Sequence, residues 1–199
     1  MSDGKKAVFL DRDGVLTPPV WNAVTGESEA AKKAADMSLM NHAAAAVRDL
    51  QASGYLVVVI SNQPDAAKGK TTYSDLLGAG REFENLLERQ GVRLDGVYYC
   101  YHHPAGVLPE LTGPCDCRKP APGLVIKACA ELGIDPHQSW FVGDRDTDVV
   151  CGRAAGCRTI LIRSVEASRP GWGKSLPDET ADDVMGAVRI ILESSLWKS

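Results

Sequence analysis

Short apolar segments alternate with helix-like segments along the whole chain, and most of the apolar segments run directly into a polar loop. The segment Tyr55 to Ile60 carries β-branched residues on both faces, which is typical of a strand covered by helices on both sides. Such alternation predicts an α/β protein, a three-layer α/β/α Rossmann-like fold around a mostly parallel five-stranded sheet. The predicted strands are 7–10, 55–60, 97–101, 139–142 and 158–162.

The helices predicted between these strands have recognisable ends. Glycine, the residue that most often ends a helix, follows the first four of them, and Pro122 stands at the start of the third. Residues 17–40 are predicted as a long connection with at most one helical turn, and 164–178 as irregular. We expect a single domain over 1–199, because 199 residues fit one ordinary domain. The predicted helices are 41–53, 74–90, 122–132, 148–155 and 182–196.

Charge and hydropathy exclude two classes of partner. The chain has 22 Lys and Arg against 26 Asp and Glu, a net charge of −4, which argues against a nucleic-acid-coating protein. No apolar run approaches the roughly 18–20 residues that span a bilayer, so no membrane partner is expected. The apolar run 7–10 is broken at once by Asp11, which leaves no secretory segment and favours a cytoplasmic protein. We expect a monomer.

Carboxylates, a hydroxyl and cations stand where the predicted strands end. Asp11 and Asp13 follow the first strand, Ser61 follows the second, and Asp144 follows the fourth. Ligands of parallel sheets bind beyond the carboxyl ends of the strands. Crowded carboxylates suit Mg²⁺, and a carboxylate can attack phosphorus when a cation reduces the repulsion between the two anions. The alternative interpretation is that these acids are ordinary turn and cap residues.

These motifs resemble, in order, the four motifs of the haloacid dehalogenase (HAD) superfamily of phosphatases. They read Asp11-x-Asp13-Gly-Val, Ser61, Lys119 and Gly143-Asp144-x-x-x-Asp148. The resemblance implies that Asp11 is the nucleophile, that Asp13 is the general acid and base, that Ser61 binds the phosphoryl group, and that Lys119 steadies the phosphoaspartate. It also implies that Asp11, Asp144 and the carbonyl of Asp13 bind Mg²⁺, with Asp148 a supporting acid.

A cluster of cysteines predicts a second metal. Cys100-x-His102 and Cys115-x-Cys117 are separated by twelve residues in a loop of about 100–117. Three thiolates and one imidazole match a closed, structural Zn²⁺ site that staples this loop. The alternative is that these are scattered core cysteines, which is how we interpret the three others, Cys129, Cys151 and Cys157.

This loop also resembles one branch of the superfamily, the D-glycero-D-manno-heptose 1,7-bisphosphate phosphatases and the similar histidinol-phosphate phosphatases. The shared pattern is Cys-x-His-His-Pro, then Cys-x-Cys-Arg-Lys-Pro. The resemblance implies no large cap domain, and neither 17–40 nor 91–117 is long enough for one. It also implies that Asn62, Arg118 and Arg145 contact substrate. The stretch 64–69, Pro-Asp-Ala-Ala-Lys-Gly, departs from the branch.

Together these features predict a Mg²⁺-dependent phosphomonoesterase that acts on a small phosphorylated metabolite through an aspartyl-phosphate. The C7 phosphate of the heptose bisphosphate is the first expected target. Histidinol phosphate is an alternative, and a catalytically inert, zinc-stapled binding module is a remote one.

Overall fold

The computed structural model of the chain describes residues 4–23, 26–163 and 176–196, and its central sheet joins six parallel strands. The strands are β1 (Ala7–Leu10), β2 (Val20–Asn22), β3 (Glu27–Glu29), β4 (Leu56–Asn62), β5 (Gly96–Cys100), β6 (Trp140–Gly143), β7 (Arg158–Ile162) and β8 (Glu179–Ala181). The α-helices are α1 (Ala43–Ala52), α2 (Tyr73–Arg89), α3 (Gly123–Leu132), α4 (Asp146–Ala154) and α5 (Val184–Leu196).

The sheet has the order β5-β4-β1-β6-β7-β8. All five predicted strands are present, each within two residues of its predicted ends. The predicted count of five was wrong by one, because β8 adds an edge strand beside β7. Its three residues are mostly exposed and carry no apolar run, so the sequence contains no strand signal there. Of the stretch predicted as irregular, 164–175 lies outside the described residues.

Helices cover both faces of the sheet, as predicted. Alternate residues of β1 show the division: Val8 and Leu10 pack with α1, α2 and α5, whereas Ala7 and Phe9 pack with α3 and α4. The layers are therefore helix, sheet and helix. Within the described residues, no helix is long and apolar enough to cross a membrane.

The long connection 17–40 contains more structure than the sequence predicted. A single helical turn is present, a 3₁₀ turn at Ala34–Asp36. The antiparallel pair β2 and β3 was not predicted, because its strands have three residues each and are partly exposed. Glu29 on β3 forms ion pairs with Lys32 and with Lys70 of the loop after β4, which ties this hairpin to the sheet. It is too small to be a folded cap.

The loops that follow β1, β4 and β6 lie at the same edge of the sheet, because these three strands are neighbours and run in parallel. The chain enters the edge at Asp11, Ser61 and Asp144, each at or next to the carboxyl end of its strand. The fold thus gathers the predicted motifs at one edge.

Candidate active site

Three buried aspartates form the centre of this edge. Asp11, Asp144 and Asp148 each offer a carboxylate oxygen, and these oxygens lie within 4.8 Å of one another. The backbone N–H of Asp11 donates to the carbonyl of Val142 on β6 at 2.9 Å, so the loop after β1 is fixed against the neighbouring strand. Three carboxylates this close repel one another strongly unless cations lie between them.

Lys119 supplies one such cation. Its Nζ lies 2.9 Å from Asp11 Oδ1 and 2.7 Å from Asp148 Oδ1, and it donates to the carbonyl of Ile60 at 2.9 Å. The residue is only 3% exposed. Burial disfavours its charge, but the two carboxylates outweigh that effect and raise the pKa of Lys119. Lys119 is therefore a fixed ammonium beside the predicted nucleophile.

Asp144 faces the same cluster and has only a distant cation beside it. Its Oδ1 is buried and has no hydrogen-bond partner among the described residues, and Arg145 Nε is 4.0 Å away. Burial, followed by the charges of Asp11 and Asp148, raises the pKa of Asp144 to about 7. Gly14, at φ +84°, lets the chain pass beside this carboxylate, since a Cβ there would lie 2.3 Å from Asp144 Oδ2. An unpartnered buried oxygen among carboxylates fits a Mg²⁺ site.

Asp13 is held by hydrogen bonds to both carboxylate oxygens. Arg12 forms a two-point ion pair with it, Nε to Oδ1 at 3.0 Å and Nη2 to Oδ2 at 3.2 Å, and Thr17 donates to Oδ1 at 3.0 Å. Burial opposes ionisation, but the Arg12 charge and the surrounding donors outweigh it and hold the pKa of Asp13 below its ordinary value. Arg12 itself is 1% exposed, and its guanidinium lies over the ring of Tyr99.

Ser61 lies at the end of β4 and is buried, close to Asp13, the predicted acid and base. Gln63 Nε2 donates to Ser61 Oγ at 3.1 Å and to Asp13 Oδ2 at 2.6 Å. The predicted phosphoryl-binding hydroxyl and the predicted acid and base are therefore neighbours joined by one amide.

The three predicted substrate contacts lie in different settings. Asn62 Nδ2 donates to the carbonyl of Lys119, and Asn62 Oδ1 accepts from the backbone N–H of Lys119, both at 3.1 Å. This side chain therefore fixes the lysine loop, the loop that carries Lys119. Arg118 Nη1 donates to the carbonyl of His102 at 3.2 Å. The side chain of Arg145 is 61% exposed at the rim of the carboxylate cluster. Of the three, Arg145 is the most open to a ligand, and the substrate role of all three stays a prediction.

The four predicted zinc ligands converge on one point of the loop. Cys100 Sγ lies 3.8 Å from Cys115 Sγ and 3.8 Å from His102 Nδ1, and Cys117 Sγ lies 3.3 Å from that nitrogen. A tetrahedral Zn²⁺ site with bonds of about 2.3 Å has sulfur–sulfur distances of about 3.8 Å, which the Cys100–Cys115 pair matches, whereas Cys117 Sγ lies closer to Cys100 Sγ, at 3.1 Å. Burial raises the pKa of Cys100 and Cys117, which makes the metal-free cluster of thiolates unfavourable. The donor set therefore fits zinc.

The cysteines predicted to lie outside this site do so. Cys151 and Cys157 are buried, and Cys129 is half-buried against the same apolar cluster under α3 and α4.

Sequence reasoning gave no role to three residues at the site: Arg12, Thr17 and Gln63. Each is buried and bonds Asp13 directly. Only their position beside the motifs could have drawn attention to them, since arginine and glutamine are mostly exposed in proteins.

Comparison with known proteins places these features in context. A family model described as HAD-hydrolase-like matches residues 116–189. The D-glycero-beta-D-manno-heptose-1,7-bisphosphate 7-phosphatase of Pasteurella multocida is 37% identical over 161 residues, which cover 80% of this chain and 83% of the relative. The protein of the same name from Haemophilus influenzae is 33% identical over 94% of this chain and 96% of its own.

A solved structure has the same fold. D,D-heptose 1,7-bisphosphate phosphatase from B. bronchiseptica, complexed with magnesium and phosphate, superposes with a TM-score of 0.77 at 23% identity. The match covers 95% of this chain and 99% of that one.

Proposed function

The chain belongs to the HAD-like family of D-glycero-β-D-manno-heptose-1,7-bisphosphate 7-phosphatases and is a phosphoric monoester hydrolase, and from that premise we propose that it removes the C7 phosphate of D-glycero-D-manno-heptose 1,7-bisphosphate through an aspartyl-phosphate on Asp11. The observation that carries the mechanism is the meeting of Asp11, Asp144 and Asp148 at the carboxyl edge of the sheet, with Lys119 paired to Asp11 and Asp148. The names of the relatives support the substrate.

Asp11 is the nucleophile in the first half of the reaction. Its carboxylate oxygen attacks the phosphorus, the bond between phosphorus and the C7 oxygen breaks, and Asp13 gives its proton to that oxygen. In the second half, Asp13 takes a proton from water as the water oxygen attacks phosphorus, and the bond to Asp11 breaks. Asp13 thus regains the proton that it gave to the C7 oxygen.

Charge stabilisation comes from fixed groups around the phosphoryl oxygens. The Ser61 hydroxyl donates to one of them, and the Lys119 ammonium, anchored between Asp11 and Asp148, lies beside the nucleophile. Asp11, Asp144 and the carbonyl of Asp13 would hold Mg²⁺, which would reduce the repulsion between nucleophile and phosphate. The magnesium and phosphate of the B. bronchiseptica complex support this assignment.

Zinc has a structural role in this proposal. Cys100, His102, Cys115 and Cys117 would fill all four positions of a tetrahedral ion, which leaves none for water or substrate. The loop that carries them ends two residues before Lys119, and it forms one wall of the site in place of a cap.

The remainder of the substrate lies toward the cationic rim. Arg118 and Arg145 contact the hydroxyl groups or the second phosphate of the bisphosphate. Both are on loops at the carboxyl edge, where Arg118 contacts His102 and Arg145 contacts Asp144.

Phosphate release from the purified protein tests the substrate. Heptose 1,7-bisphosphate and histidinol phosphate are assayed side by side with Mg²⁺, and phosphorus NMR identifies which phosphate of the heptose remains. We expect loss of the C7 phosphate with the C1 phosphate retained. Release from histidinol phosphate alone would contradict the proposed substrate and favour the alternative, whose motif pattern is similar.

The nucleophile is tested by Asp11→Asn. The amide is close to isosteric but a very poor nucleophile, so we expect turnover to fall by at least about a thousandfold. Asp36→Asn, at an exposed aspartate of the 3₁₀ turn, is the matched control and should keep full activity. Undiminished turnover by Asp11→Asn would exclude the covalent mechanism.

A further inference from the structure

Gln63 joins two groups of the site through a single nitrogen. It is 3% exposed, one residue beyond β4, and its Nε2 donates to Asp13 Oδ2 at 2.6 Å and to Ser61 Oγ at 3.1 Å. The amide is oriented with its nitrogen, the donor, toward Asp13 Oδ2, which also accepts from Arg12 Nη2. Its backbone N–H donates to the carbonyl of Cys100 at 2.7 Å, which holds the residue from the other side.

The bond to Ser61 determines the direction of the serine hydroxyl. A hydroxyl has one hydrogen to donate. Since Ser61 Oγ accepts from Gln63, its own hydrogen is left for another acceptor, and the phosphoryl oxygen lies on that side in the proposed reaction. An acceptor in place of the Gln63 nitrogen would draw the serine hydrogen away from the phosphate.

The bond to Asp13 is one of four that reach this carboxylate. Arg12 and Thr17 provide the other three, two on Oδ1 and one on Oδ2. Loss of the Gln63 bond therefore leaves the buried acid largely satisfied while freeing the oxygen on the Ser61 side to move. The expected consequence is a change in orientation, with the fold retained.

We propose that Gln63 is a positioning residue that holds Asp13 and Ser61 in one fixed arrangement for protonation of the leaving alcohol. The inference rests on the function proposed above, because it takes Asp13 as the acid and Ser61 as the phosphoryl ligand. It goes beyond that function by making the geometry of both groups depend on one amide whose described hydrogen bonds reach Asp13 and Ser61.

The test exploits the chemistry of the leaving group. The kcat/KM value reports steps up to departure of the alcohol, so it isolates the half-reaction in which Asp13 is the acid. A sugar alkoxide needs that proton, whereas p-nitrophenolate departs without it. We expect Gln63→Leu to lower kcat/KM for heptose 1,7-bisphosphate at least about tenfold more than for p-nitrophenyl phosphate. Gln63→Glu, which replaces the donor with an acceptor, should show at least as large an effect.

Two further variants make the outcome decisive. Asp13→Asn is the benchmark for loss of the acid, and Gln51→Leu is the control. Gln51 Nε2 also makes two hydrogen bonds, to the carbonyl of Arg93 and to Asp95, but at the opposite edge of the sheet. Unfolding temperature and zinc content are measured for every variant, to separate a positioning effect from loss of fold.

Each pattern of results has one meaning. Discrimination here means the ratio of kcat/KM for heptose 1,7-bisphosphate to kcat/KM for p-nitrophenyl phosphate. A ratio that falls in both Asp13→Asn and Gln63→Leu, and stays at the wild-type value in Gln51→Leu, supports the inference. Discrimination lost in Asp13→Asn but kept in a folded Gln63→Leu overturns the role of Gln63 and leaves the proposed function intact. Discrimination kept in Asp13→Asn overturns the role of Asp13 as the acid, and the inference with it.

Discussion

Replacing Lys119 with methionine removes the one side-chain cation that contacts both Asp11 and Asp148 among the described residues. Methionine is similar in length, so the change deletes the charge with little change in volume. It leaves two buried carboxylates without their ion pairs at 2.9 and 2.7 Å, and the carbonyl of Ile60 without its donor. Breaking a buried pair by removing one partner costs about 3–5 kcal/mol, and we expect a loss in that range in metal-free protein near pH 7.5.

The size of this loss should depend on two conditions. Burial raises the pKa of Asp148, so at lower pH the carboxyl is protonated and has less need of the ammonium. The difference between variant and wild type should therefore shrink as the pH falls toward about 5. Saturating Mg²⁺ should also reduce it, because a bound cation stabilises the folded state and again offsets the carboxylate charge.

Urea unfolding, followed by circular dichroism with and without Mg²⁺, measures the loss. Lys127→Met is the matched control: its Nζ is 3.9 Å from Glu131 and its side chain is 59% exposed, so we expect a change within about 0.5 kcal/mol. Equal losses for the two variants in metal-free protein would refute the view that Lys119 balances the carboxylate cluster. A loss that grew at low pH would refute it equally.

Three further predictions address the two metal sites and the rim. Because burial and the neighbouring acids raise the pKa of Asp144 to about 7, protons compete with the metal there, and calorimetry should show Mg²⁺ binding tighten between about pH 6 and about pH 8. Cys115→Ser should lose its zinc by elemental analysis and unfold at a lower temperature, whereas Cys129→Ser should retain the metal. Arg145→Ala should raise KM for the bisphosphate severalfold and leave the unfolding temperature unchanged, since its side chain is mostly exposed.

The parts of this fold that the sequence predicted are those with a local signal. The β-branched run of β4 and the glycine that ends α3 each identify an element from a few adjacent residues. The acids of the site lie at strand ends, and parallel pairing brings those ends together without further information. The sequence therefore predicts that Asp11 and Asp144 share one edge, whereas the pairing of β1 with β6, which brings them and Asp148 of α4 together, is visible only in the structure.

The parts that escaped prediction depend on distant contacts. Arg12 is 1% exposed because Asp13 and the ring of Tyr99, far along the chain on β5, together accommodate its charge. Nothing in the local sequence marks it as buried, since arginine is rarely so. Likewise the amide of Asn62 forms two hydrogen bonds with the backbone of Lys119, 57 residues away. These bonds form only when β4 and the lysine loop meet.

One loop connects the thiol cluster to the carboxyl edge of the sheet. The loop that carries the cluster begins at Cys100, whose carbonyl holds the backbone of Gln63, and it ends at Cys117, two residues before Lys119. Bringing the thiols of Cys100 and Cys117 to one ion would therefore fix the separation between the residue that orients Asp13 and the ammonium that faces Asp11. A loop without a metal would have to order these two points through hydrogen bonds alone, at a larger cost in conformational entropy. A zinc-held loop of this kind would therefore give the site a rigid wall beside Lys119.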